Sequence, residues 1–367
     1  MSINIVRNTA GGRHGRRRRS LPLLLLAVLA VPGLLASACG SDSGASEAGA
    51  GNPDTTAPPV TLPEAIPAGT TLRVGDQFDN LKNLLALSGQ DQDFGYAVEY
   101  SSFAGGPPML QAFEGDAIDV GFVADAPLVF AQAAGQDIVG IGAWAPGETT
   151  MGLVTAPGTS DITGWADLEG KTVAIAEGTV IQSALLTGLA SVGLSYDDVE
   201  TVNVPVAQIG QGLSSSGADA GILVEPLTSA YLKDNPTAKE VVRSTDITDR
   251  VSFLIASGKA LKSDAKTAAA ADYLARLARA WTWVNQNPEA WAQKAYVETY
   301  GLPLAKGVEL VKAGGGIQVL ELPGELTGPQ QALTDRFYEA GIIPKKLDAA
   351  SQFDSRFNAV IEEATAQ

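Results

Sequence analysis

Two segments, GDAIDVGFVADAPLVFAQ (115–132) and SGADAGILVEPLTSAYL (216–232), pass through the same order of residue types. Each has a small residue, an acidic residue, an apolar run, a second acidic residue, a proline and then helix-like spacing. A short apolar run bounded by turn residues reads as a strand buried on both faces, and such strands belong to parallel sheets covered by helices. A chain that uses this pattern twice is confined to the α/β class. It implies two similar lobes with a cleft between them. Ligands of such sheets bind outside the carboxyl ends of the strands.

The flanking sequence fits this reading. Strand patterns are expected at Thr71–Gly75, Ala97–Phe103, Ala117–Val123, Asp137–Ala143, Met151–Thr155, Lys171–Ala176, Val199–Val204, Ala218–Val224 and Val251–Ala256. Helical spacing falls between them, and from about Ala265 onward the chain reads as helical only. The expected division places lobe 1 at 69–152, lobe 2 at 153–252, and a return to lobe 1 with C-terminal helices at 253–367. Closure is expected to hinge near Met151–Thr155 and Val251–Ala256, where the chain changes lobe.

The first 38 residues read as an export signal. Six arginines precede Ser20, the apolar run LPLLLLAVLAVPGLL follows, and Ala36-Ser37-Ala38 stands before Cys39. That order of basic, apolar and small residues marks a secretory signal. The apolar run is short for a membrane span, which needs about 20 residues. Cys39 is the single cysteine, so an internal disulfide is excluded. Residues 39–68, rich in Gly, Ser, Thr and Pro, are expected to form a flexible tether.

Removing the signal changes the charge. Residues 1–38 hold six of the 25 Lys and Arg and none of the 41 Asp and Glu, which leaves 19 basic against 41 acidic residues, a net charge of −22. Nucleic-acid binding needs a basic footprint that this chain lacks. The one histidine, His14, lies in the signal. A Ser-His-Asp triad, a Cys-His pair and the common zinc sites are therefore excluded from the mature chain. No phosphate loop, nucleotide fingerprint or calcium loop occurs, and neither a cofactor nor a metal is expected.

Five turns carry the candidate site: Gly75-Asp76-Gln77, Ala104-Gly105-Gly106-Pro107, Ala124-Asp125-Ala126-Pro127, Glu177-Gly178-Thr179-Val180 and Val224-Glu225-Pro226. Each is read as a strand-to-helix turn. Helix N-termini leave unpaired N–H groups and a partial positive charge. Ordinary capping explains any one of them. Their coincidence around one cleft suggests a site for a small anion that needs no arginine. Gln77 could add an amide donor, Thr179 a hydroxyl, Glu225 an ammonium partner, and Trp144 a wall.

The motifs LRVGDQF, FAGGPPMLQAFEGDAIDVGFVADAPLVFAQAAGQDI, DLEGKTVAIAEGTV, GADAGILVEPL and FYEAGIIPKKLD carry a resemblance. Over 71–348 the chain resembles the solute-binding proteins of ABC importers in the nitrate/sulfonate/taurine family, nearest the aliphatic sulfonate branch. The start of the mature chain at Cys39 resembles a bacterial lipoprotein signal, which implies a lipid anchor in the cell membrane. The resemblance implies a type II periplasmic-binding-protein fold, no catalysis, and a monomer that hands its ligand to a membrane permease driven by an ATPase. It assigns ligand contacts to Gln77, Gly105, Gly106, Asp125, Ala126, Gly178, Thr179 and Glu225. Taurine, nitrate, a pyrimidine precursor or an amine-bearing zwitterion are alternative ligands, and a sensory role is a further alternative. Asp76 and Glu225 are the residues that would favour an amine.

Overall fold

The computed structural model describes residues 57–145, 151–215, 217–244 and 251–366. The expected signal, Cys39 and most of the expected tether lie outside the described residues. The first lobe opens with β1 (Thr71–Gln77), α1 (Asn80–Ser88), β2 (Ala97–Phe103), α2 (Gly106–Glu114), β3 (Val120–Ala124), α3 (Asp125–Ala133) and β4 (Ile138–Ala145). The second contains β5 (Met151–Thr155), β6 (Thr172–Ile175), α4 (Val180–Ser191), β7 (Glu200–Asn203), α5 (Ile209–Ser214), β8 (Ala220–Val224), α6 (Leu227–Asp234) and β9 (Glu240–Ser244). The chain then returns through β10 (Ser252–Ser257), α7 (Gly258–Leu261), α8 (Asp264–Gln286), α9 (Pro288–Ala292), α10 (Leu304–Lys312), β11 (Gln318–Leu320), α11 (Thr327–Glu339) and α12 (Asn358–Thr365).

Sheet 1 has the order β11-β4-β10-β3-β1-β2 and sheet 2 the order β7-β6-β8-β5-β9. In sheet 1, β1, β2, β3 and β4 share one direction and β10 and β11 run against them; in sheet 2, β6, β7, β8 and β9 share one direction and β5 runs against them. The segments expected to be hinges, Met151–Thr155 and Val251–Ala256, are buried strand residues. The chain changes sheet at 146–150 and 245–250, which lie outside the described residues. Both crossings join carboxyl edges. Ala145 and Met151 sit at those edges, as do Ser244 and Ser252. Ala145 to Met151 can span about 20 Å at most and Ser244 to Ser252 about 28 Å, so the carboxyl edges of the two sheets are held facing each other.

The repeated sequence pattern has a physical cause. Asp119, just before β3, donates its N–H to the Arg73 carbonyl at 2.8 Å, and its Oδ2 accepts from the Arg73 N–H at 3.0 Å. Asp219, just before β8, does the same to Thr172 at 2.8 and 2.9 Å. The acid six residues before Asp125 in one repeat, and before Glu225 in the other, thus clamps the neighbouring parallel strand. In lobe 1 the clamp is reinforced by Arg73 Nη2 and Lys266 Nζ, each 2.6 Å from Asp119 Oδ1. Burial pushes the Asp119 carboxyl up, but these partners outweigh it and hold it below the ordinary value.

One face of sheet 1 packs under α1, α8 and α12, with Leu72, Leu84, Ile141, Leu277, Trp281 and Phe357 in the core. The opposite face packs Met109, Phe113, Ile118, Val123, Leu128 and Phe253. Sheet 2 closes on Leu153, Val173, Ile181, Leu185, Ile209 and Ile222. A fourth cluster joins the lobes: Ala126 and Val129 of α3, Leu186 of α4, Leu333 and Phe337 of α11, and Ile343.

Three local expectations are corrected. The segment Gly75-Asp76-Gln77 is not a turn but the end of β1, paired to Ser101-Ser102-Phe103. The helical C-terminal region also contains β11, which adds an edge strand against β4. The last part of the expected tether is bound chain: Val60, Leu62 and Ile66 pack on the lobe 1 core, and the Val60 N–H donates to the Arg356 carbonyl at 2.8 Å. The spaced apolar residues of VTLPEAI supply the burial that a free linker lacks.

Candidate functional site

The facing carboxyl edges bring βα turns from both lobes together. Gly105, at φ 144°, is the N-cap of α2. That backbone conformation is open to glycine and strained for other residues. Gly106 is buried, and a Cβ built there would lie 2.5 Å from Pro127 Cγ. The Gly105–Gly106 turn is therefore packed against the Asp125–Ala126–Pro127 turn. From the other lobe, Gly178 (φ 71°) approaches so closely that its Cβ would lie 3.3 Å from Pro107 Cγ. Gly105, Gly106, Asp125, Ala126, Gly178 and Thr179 thus form one cluster across the cleft. Gln77 lies at the end of β1, where its Nε2 donates to the Phe122 carbonyl at 2.8 Å and ties β1 to β3.

Most of the helix-terminal donors expected to face a ligand are already engaged. Asp76 is fully buried, and its carboxylate accepts from Leu81 N at 3.0 Å and Lys82 N at 2.9 Å, which caps α1. Asp125 Oδ1 accepts from Ala126 N at 2.6 Å. Pro107, Pro108 and Pro127 bring no N–H to the first turns of α2 and α3. Thr179 Oγ1 accepts from Ile181 N at 3.2 Å and donates to the Ala176 carbonyl at 2.7 Å. The N–H of Gly178 donates to Gln182 Oε1 at 2.9 Å. Among the described residues, none accepts from the N–H of Thr179 or Val180. The N-terminus of α4 therefore keeps two adjacent donors beside Gly105–Gly106, and the helix dipole adds to their field.

Glu225 does not join this cluster. Its carboxylate accepts from Ser229 N at 3.1 Å and from Ser229 Oγ at 2.9 Å, and it reaches to β9 for an ion pair with Arg243 Nη2 at 3.0 Å. The Glu225 side chain is 6% exposed. Arg243 is also held by Glu240 at 3.0 Å. The two carboxylates that would favour an amine are thus both occupied within the protein: Asp76 by a helix terminus, Glu225 by a guanidinium and a cap. Desolvation pushes the Asp76 carboxyl up to about 6, against the lowering effect of the Lys82 and Leu81 N–H groups.

Two features of this region were not legible beforehand. Arg243 lies on β9, whose sequence EVVRS alternates too briefly to stand out. Phe78 follows Gln77 with φ 57° and is 52% exposed. Trp144, expected at the cleft wall, lies at the end of β4 but is 5% exposed, with its ring 5.9 Å from Phe122 and 5.6 Å from Trp281.

A family described as NMT1/THI5 like matches residues 92–291, more than half of the chain. The chain belongs to the NMT1/THI5-like family. This family member is 29% identical over 287 residues to an aliphatic sulfonates-binding protein of Escherichia coli strain K12, covering 76% of this chain and 86% of that relative. Its fold is similar to that of the periplasmic aliphatic sulphonate binding protein SsuA from Escherichia coli, with 27% identity, a TM-score of 0.64, and coverage of 77% of this chain and 92% of that one. It is also similar to the alkanesulfonate-binding protein SsuA from Xanthomonas axonopodis pv. citri bound to MOPS, with 26% identity, a TM-score of 0.66, and coverage of 79% and 99%. The nitrate-binding protein NrtA from Synechocystis, at 13% identity and a TM-score of 0.62 over 83% of this chain and 90% of that one, shares the fold. The two α/β lobes form the periplasmic-binding-protein fold of these neighbours.

Proposed function

We propose that this NMT1/THI5-like protein is the extracytoplasmic substrate-binding component of an ABC importer, capturing a small organic sulfonate and delivering it to a membrane permease and its ATPase. The observation that carries this reading is the facing pair of carboxyl edges, with α4 presenting the N–H groups of Thr179 and Val180 beside Gly105–Gly106. Those donors suit sulfonate oxygens, which accept hydrogen bonds and carry a spread negative charge. The sulfonate-binding relatives support the ligand class. Asp125 and Ala126 shape the floor of the same cluster. Asp76 and Glu225, the two carboxylates that would favour an amine, are already occupied within the protein.

The export pattern and Cys39 support a protein lipid-anchored outside the cytoplasm, and the binding-protein relatives support binding without catalysis. The test is a thermal shift of the chain from residue 57 onward against alkanesulfonates, taurine, nitrate, bicarbonate and pyrimidines. A ligand at a hundred times its Kd adds about 2.7 kcal/mol of stability. A selective rise with alkanesulfonates is expected. A flat response to every sulfonate would refute the ligand class.

A further inference from the structure

We infer that Phe78 is a specificity-determining residue, the apolar wall against which the organic body of the ligand packs. The inference rests on the sulfonate-binding reading and extends it from the charged head to the rest of the molecule. Phe78 sits one residue past the carboxyl end of β1, beside Gln77. Its N–H donates to the carbonyl of Phe103 at 3.3 Å, the last residue of β2 and the one that leads into the Ala104-Gly105-Gly106 turn. Phe78 therefore lies on the carboxyl edge of sheet 1, the same edge that carries the Gly105–Gly106 turn and Pro107, against which Gly178 of the other lobe packs.

Two properties set this residue apart. Phe78 and Asp79 both adopt left-handed backbone conformations, each with φ 57°. Bulky residues avoid this region because Cβ crowds the following carbonyl. Such conformations persist where the surroundings over-determine them, and they concentrate at binding sites. Here the constraint is visible on both sides: Gln77 is tied to Phe122, and Asp76 reaches over the loop to the N–H groups of Leu81 and Lys82.

The second property is exposure. Phe78 is the most exposed large hydrophobic residue among those described, at 52%, and it belongs to none of the four described hydrophobic clusters. A left-handed backbone thus holds an aromatic residue about half exposed and outside the hydrophobic clusters. The ring gains only when an apolar surface covers it. The amphiphilic ligand of the proposed function supplies that surface, with its head at α4 and its body against Phe78.

The test is isothermal titration of methane-, butane- and octanesulfonate into the wild-type chain and the variants Phe78→Ala, Phe78→Leu and Phe78→Gly, with the ligand-free Tm of each. For the wild type, affinity is expected to rise with chain length. Phe78→Ala and Phe78→Gly should lose tenfold or more for octanesulfonate and less than twofold for methanesulfonate, while Phe78→Leu keeps most of the chain-length dependence. The Tm of Phe78→Gly should equal or exceed that of the wild type, because glycine removes the left-handed strain. Unchanged chain-length dependence in Phe78→Ala would overturn the assignment, and so would an equal loss for all three ligands or a lowered Tm in Phe78→Gly. A wild type that binds no sulfonate would sink the proposed function and this assignment together.

Discussion

Asp76 makes the stability of this protein depend on pH in a direction opposite to that of an ordinary ion-paired carboxylate. Its folded-state pKa is about 6, against 3.8 unperturbed, chiefly through desolvation. Leu81 and Lys82 N–H groups pull the other way, and the nearby Asp79 carboxylate adds to the rise. Tyr100 and Tyr273 are the other titratable groups coupled to it, and burial pushes both phenols up, so neither ionises in this range. The sign follows from proton counting. Between about pH 4 and pH 6 the folded protein holds a proton that the unfolded chain has released. Stability is therefore greatest below this window and falls as pH rises through it. The gap of about 2.2 pH units corresponds to about 3 kcal/mol.

Asp76→Asn keeps the shape and one acceptor but cannot titrate. The weakened cap costs about 1 kcal/mol at every pH. The difference in unfolding free energy, wild type minus variant, should therefore fall by about 2.5 kcal/mol between pH 4 and pH 7.5. Taking the difference cancels the carboxylates held below their ordinary values, such as Asp119 and Asp198, which act at lower pH and in the opposite sense. Urea denaturation followed by circular dichroism at half-unit pH intervals measures it. A difference that stays constant to about 0.5 kcal/mol, or that rises with pH, would refute the claim that Asp76 is a desolvated carboxylate in the folded state.

Two further outcomes follow from the packing. Asp119→Asn leaves Arg73 and Lys266 facing a neutral amide beside a buried strand start, and should cost about 3 kcal/mol in urea denaturation, the size seen when one partner of a buried ion pair is removed. A loss under 1 kcal/mol would show that the clamp does not hold β1 to β3. A chain that begins at residue 69 loses the burial of Val60, Leu62 and Ile66 and the Val60–Arg356 hydrogen bond. It should melt several degrees below a chain that begins at residue 57, since these partly buried groups contribute about 1 kcal/mol each; equal Tm values would refute a structural role for the arm.

The α/β class and the repeated order of acid, apolar strand, acid and proline were legible in the residues themselves, but the clamp made by the leading acid was not. The reason is that burial on both faces and helical spacing are local patterns, written in contiguous residues such as VGFVA and AGILV. Four of the five candidate turns were legible for the same reason, since glycine and proline punctuate the chain; Gly75-Asp76-Gln77 proved to be strand. What those turns do was not. Asp125 and Glu225 look alike in the two repeats, yet one bonds the adjacent N–H while the other reaches to a guanidinium 18 residues away. Asp76, Arg243 and the segment around Val60 acquire their partners only when strands and helices pack, because a hydrogen bond or a buried contact needs two groups that the chain brings together from a distance. Composition and local order therefore determined that this protein has two lobes and a cleft. Tertiary structure alone decided which of the polar groups at those turns are engaged by the protein itself.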